Sequence, residues 1–138
     1  MTAAADNAAL ALLRGGVIDV YDSYVEDSDG DAKTISAPLP YLFFTSRPGE
    51  VFARRATGLS RDRGTEFQVT AVGETREQAV LAGDKAEALL DGKSIVADGR
   101  THIISRTDEA PPISRDDEWT RPGGRPLFLD VRRYSVPC

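Results

Sequence analysis

The sequence predicts an α+β fold: an antiparallel-dominated sheet of four to five strands packed by one main helix plus a short N-terminal helix, as a single domain over residues 1–138. Three patterns point there. Residues 65–72 alternate strictly, with Phe67, Val69 and Ala71 on one face and Glu66, Gln68 and Thr70 on the other, the period of a half-buried strand. Directly after them, Thr75 and Gln78 stand in a capping-box arrangement ahead of a stripe of small apolar residues. Residues 126–136 alternate again, with Leu127, Leu129 and Val131 in phase.

In chain order, residues 4–14 are good helix formers, and Gly15-Gly16 follows where such a helix stops. Residues 17–21 alternate weakly and predict a short extended segment, and 22–33 read as a polar, Gly- and Asp-rich loop. Between Pro38 and Pro48 the aromatic-rich run 39–45 predicts the first main strand, with 51–57 pairing to it across a turn at 47–50. After a basic, irregular stretch and the strand 65–72 comes the main helix, 76–90, with Ala79, Ala82, Ala86, Leu89 and Leu90 toward the sheet. Residues 101–106 predict a strand, 107–124 a Pro- and Asp-rich connection, and 126–136 a closing strand. The expected core between main helix and sheet is Phe67, Val69, Leu89, Leu127, Leu129 and Val131.

At 138 residues the chain can bury roughly two-thirds of its unfolded surface, so it needs no staples to fold. With 41% hydrophobic and 28% charged residues it has globular proportions. The formal net charge of -5 argues against sequence-independent nucleic-acid binding, which rests on clustered Lys and Arg. The charge is nonetheless blocked: Asp19, Asp22, Glu26, Asp27, Asp29 and Asp31 lie together, and Arg47, Arg54, Arg55, Arg61 and Arg63 follow. Cys138 is the only cysteine, which excludes an intrachain disulfide and fits an intracellular or virion setting. Asp6 stands where a signal peptide wants positive charge, and no run approaches the ~20 apolar residues of a membrane span, so a soluble protein is expected.

Chemistry is sparse in the pattern. His102 is the sole histidine and so the only possible base for a Ser-His-Asp or Cys-His arrangement, and no nucleophile elbow accompanies it. One Cys and one His do not make a zinc site. Residues 27–31 alternate carboxylates like a calcium loop, but Ala32 and Pro38 stand where the glycine and closing glutamate belong. Asp116, Asp117 and Glu118 beside Trp119 are adjacent in sequence, which rarely gives the ~5–10 Å carboxyl separation of a glycosidase. The glycines spell no phosphate loop. The expectation is a non-enzyme without metal or cofactor.

Residues 67–79 and 82–92 resemble the strand-then-helix core of tail terminators from actinobacterial siphophages. Residues 20–23, 39–44, 96–100, 114–118 and 126–131 fit the same pattern, so the resemblance covers most of the chain. It implies a structural virion assembly protein: a ring, usually a homohexamer, that sits on the end of the tail tube, stops its polymerisation and offers a joining surface to the head–tail connector. Implied partners are self, tail-tube protein and connector, with no membrane and no specific nucleic acid. The implied location is the head-proximal end of the virion tail, and the host cytoplasm during assembly.

Another head–tail joining or head-completion protein is the alternative, ahead of a small enzyme or a nucleic-acid module. A pocket around His102 would favour the enzyme, and Tyr41 or Phe43 exposed for base stacking would favour the nucleic-acid module. The charge blocks add candidate subunit or tail-tube contacts. Several guanidinium groups are costly to bury, so Arg54, Arg55, Arg61 and Arg63 are expected to project and meet Asp27, Asp29 and Asp31 of a neighbour or acidic groups on the tube.

Overall fold

A computed structural model describes residues 2–22, 28–29, 33–35, 37–47, 65–97, 99–107, 112–122 and 124–136. Two helices, α1 (Thr2–Arg14) and α2 (Arg76–Leu90), accompany strands β1 (Asp19–Asp22), β2 (Ser28–Asp29), β3 (Thr34–Ile35), β4 (Tyr41–Arg47) and β5 (Thr65–Gly73). The remaining strands are β6 (Ser94–Ala97), β7 (Arg100–Ile103), β8 (Ser105–Arg106), β9 (Ser114–Thr120) and β10 (Pro126–Val136).

These build a mixed sheet of eight strands in the order β1-β4-β5-β10-β9-β3-β2, with β8 on the end of β10, curved into a half-barrel; β6 and β7 form a separate hairpin. The expectation of a four- to five-stranded, antiparallel-dominated sheet is therefore corrected. β1 runs parallel to β4, pairing Asp19 with Tyr41 through Asp22 with Phe44, and β3 runs parallel to β9. Such pairings join segments far apart in the chain and leave no local pattern. β9 carries Ser114-Arg115-Asp116-Asp117-Glu118-Trp119-Thr120 and was expected as connection; its strand comes from the backbone ladder to β10, not from alternating apolar residues. The strand expected at 51–57 lies outside the described residues; β4 pairs with β1 and β5.

Local chemistry explains the ends of α2. The Thr75 hydroxyl accepts from the Gln78 amide at 3.1 Å while the Gln78 side chain accepts from the Glu74 amide at 2.6 Å, so two amides otherwise left without helical partners are bonded. The Asp91 amide closes the last turn on the Glu87 carbonyl, and Gly92, at φ +75°, takes the left-handed conformation that turns the chain toward β6.

The sheet buries both faces. On the helix side, Leu42, Phe44, Phe67, Val69, Ala71, Tyr134 and Val136 meet Ala5, Ala9, Leu10 and Leu13 of α1 and Ala82, Ala86 and Leu90 of α2. Phe67 lies between Phe44 and Tyr134, with ring centroids 5.2 and 5.5 Å away. On the far side Ile35, Ala37, Tyr41, Val72 and Leu127 cluster, with Tyr21, Leu39, Phe43, Trp119 and Leu129 half-buried against them.

The core expectation is half corrected by this arrangement. Phe67 and Val69 face the helices, but Leu127 and Leu129 belong to the far face, and Leu89 and Val131 are only half-buried. Along β10 the residues in phase with Tyr134 are Asp130 and Arg132, so α2 lies over charge where an apolar row was expected.

Candidate functional site

The structure places the candidate residues unevenly. Arg54, Arg55, Arg61, Arg63, Asp27 and Asp31 lie outside the described residues, and Asp29 contributes its backbone to β2 opposite Thr34. The acidic and basic blocks are thus not brought together by anything described. His102 is buried on the inner face of the β6–β7 hairpin, opposite Ile95. Asp116 accepts a hydrogen bond from the Trp119 amide at 3.0 Å, and the Trp119 ring has the Lys33 ammonium 6.0 Å from its centroid. Tyr41 is buried with its ring edge-on to Tyr21 at 5.4 Å, and Phe43 is half-buried. Burial, helped by the nearby Asp116 carboxylate, pushes the Tyr41 hydroxyl well above its ordinary pKa. Among the described residues no group of three or more His, Cys, Asp or Glu side chains could hold a metal ion, and no helix is long and apolar enough to cross a membrane.

Three features were not foreseen from the sequence. The first is a charged seam under α2. Arg132 of β10 donates through Nη2 to Asp130 Oδ2 at 2.8 Å and to Asp84 Oδ1 at 2.9 Å, and its Nη1 lies 3.5 Å from Glu87 Oε1. Glu87 also accepts from Arg106, whose amide donates to Asp91. Burial disfavours the Arg132 charge, but the bonds to Asp130 and Asp84 outweigh it and hold the guanidinium protonated even more firmly than usual. Gly83 makes room for the seam: a Cβ there would lie 2.7 Å from Asp130 Oδ2 and 3.0 Å from Arg132 Cζ. One glycine in an otherwise Ala-rich helix stripe was the only sequence signal.

The second is an apolar groove between α2 and the edge strand β1. It consists of two adjoining depressions of about 290 and 420 Å³ that share Val17, Ile18 and Lys85. Leu13, Leu42 and Leu89 line one end, and Leu39, Gln78 and Leu81 the other. Val17 is 91% exposed and Leu81 57% exposed, so large apolar side chains stand in solvent at its rim. Asp19 of β1 lines one depression and Lys85 of α2 lines both, and both side chains are exposed.

The third is the outer face of the β6–β7 hairpin. Register puts Ser94, Val96, Thr101 and Ile103 on one side and Ile95 and His102 on the other. The inner side packs into the helix-side core, whereas Val96 is 67% and Ile103 57% exposed. Lys93 and Arg100 are exposed but in phase with Ile95 and His102, on the other side of the ribbon.

No family model and no curated protein matches the sequence. A solved structure whose name describes no function is similar at 16% identity, over 97% of this chain and 91% of that one, with a TM-score of 0.54. At that identity the likeness concerns the fold alone.

Proposed function

We propose that the chain is a ring-forming structural assembly protein of the tail-terminator kind, which caps the end of a tail tube, stops tube growth and offers a surface to a head connector. The observation that carries this reading is exposed apolar surface at two separate places, the Val17–Leu81 groove rim and the Val96–Ile103 face, neither covered by the described residues. A protein that assembles with different patches on successive neighbours needs two such surfaces. Support also comes from the sequence resemblance, whose strongest stretch forms β5, the Thr75 cap and α2, the frame that positions the groove. Termination requires a ring that matches the tube on one side only, which is a task for surfaces and not for a catalytic pocket.

The test is the solution mass of the purified chain together with micrographs of it, alone and mixed with tail tubes. Rings alone and capped tube ends in the mixture are expected. A chain that stays monomeric and leaves tube ends open would overturn the reading. Within it, Arg54, Arg55, Arg61 and Arg63 are the proposed contacts to an acidic surface; their joint replacement by Ser should weaken capping, and the native contact should fade as salt screens it.

A further inference from the structure

We infer that the segment carrying Lys33, Thr34, Ile35 and Ala37 is a strap closed over the far side of the sheet, and that Arg121 is the clip that holds it shut. The strap opens as a unit of its own, uncovering Tyr41, Val72 and Leu127 while the helix-side core stays folded. This device is internal to one chain and independent of how copies assemble.

The clip works through two backbone carbonyls. Arg121 donates through Nη1 to the carbonyl oxygen of Ile35 at 3.1 Å and to that of Ala37. Ala37 is fully buried and belongs to no strand, so the guanidinium supplies its carbonyl with a charged donor, and a buried carbonyl stripped of its donor is costly. The base of the clip is fixed, because Arg121 opens the turn between β9 and β10. Its amide donates to the Arg125 carbonyl at 2.9 Å, and its own carbonyl accepts from the Gly124 amide at 3.0 Å.

Apart from the clip, the described residues hold the strap by a short ladder. β3 meets β9 at one register position, Thr34 opposite Thr120, where the Thr120 amide donates to the Lys33 carbonyl at 3.0 Å. Its other neighbour, β2, is the terminal two-residue strand of the sheet. Lys33 stands at φ +52°, a left-handed conformation that L side chains rarely adopt, so the bend is kept by the contacts around it and not by local preference. Ile35 and Ala37 bury against Tyr41, Val72 and Leu127 in a cluster separate from the one beneath the helices. A segment with a short ladder and a core of its own can open at a free energy below that of global unfolding.

Amide hydrogen exchange at low urea tests this. In the native chain the Thr120 amide should exchange through an opening that urea hardly accelerates, whereas the β5 amides exchange through a strongly urea-dependent one. Arg121→Met keeps the methylene stem and removes the donors, and it should speed exchange at Thr120 at least about tenfold. Leu90→Ala, in the buried helix-side core, should speed the β5 amides and leave Thr120 at its native rate. A Thr120 amide that follows β5 in urea or in Leu90→Ala would overturn the strap, and so would an Arg121→Met chain that fails to fold. An unchanged rate at Thr120 in Arg121→Met would overturn the clip.

Discussion

Arg132 and Asp130 sit two residues apart on β10, on the same face of the strand, and bond to each other at 2.8 Å beneath α2, each only 6% exposed. Two charges so placed lose most of their hydration, and the mutual attraction roughly offsets that cost only when further bonds complete the shell. Here Asp84 of α2 accepts a further hydrogen bond, and Glu87 adds an ion pair at 3.5 Å to Nη1, which has no hydrogen-bond partner among the described residues. The seam therefore ties the helix to one register on the sheet.

Breaking the pair on one side should be far worse than removing it whole. Arg132→Met leaves a buried carboxylate uncompensated and should cost about 3–5 kcal/mol in urea unfolding. The double variant Asp130→Leu with Arg132→Met should lose clearly less. Equal losses for single and double variants would show that the pair is not coupled.

Gly83→Ala sets two effects against each other. Alanine favours the helix by about 1 kcal/mol, but its methyl would meet Asp130 Oδ2 at 2.7 Å, and overpacking costs about 1–3 kcal/mol. The net expectation is a lower Tm. A raised Tm would mean that the seam yields easily.

Two side chains on the far face of β10 differ in burial, which truncation can read. Leu127 is fully buried, so Leu127→Ala should cost about 2–5 kcal/mol. Leu129 is half-buried, so Leu129→Ala should cost markedly less, and a reversed order would mean that Leu129 is the better buried of the two.

Tyr134 is buried with its hydroxyl lacking a hydrogen-bond partner among the described residues. Burial first, and the nearby Glu87 carboxylate second, push its pKa well above the ordinary value. The folded chain thus holds this proton more tightly than the unfolded chain, as it does at Tyr41. Stability should be intact below about pH 10 and fall as the pH rises further, with tyrosinate absorbance appearing together with unfolding. Tyr134→Phe should leave neutral-pH stability unchanged or slightly higher and weaken the alkaline loss. Tyrosinate formed by a fully folded chain would contradict this.

What the sequence determined by itself was whatever depends on neighbours in the chain. The expected span of α2 matches Arg76–Leu90, because a threonine cap, a small-residue stripe and Asp91-Gly92 act within a few residues of one another. The strand expected at 65–72 matches β5 to within a residue, because its alternation is local. The tertiary structure alone decided the rest. β9 becomes a strand through backbone bonds to β10, the extended segment expected at 17–21 finds its partner β4 only in the fold, and the parallel pairings depend on segments brought from elsewhere in the chain. Which side of β10 meets α2 was also undecided locally. Leu127, Leu129 and Val131 look like a core face, yet a glycine in the helix and two acidic side chains on it let Asp130 and Arg132 take that place. The groove and the hairpin face arise in the same way, since an apolar side chain is exposed only where the fold leaves it uncovered, and Val17, Leu81, Val96 and Ile103 carry no local mark of that.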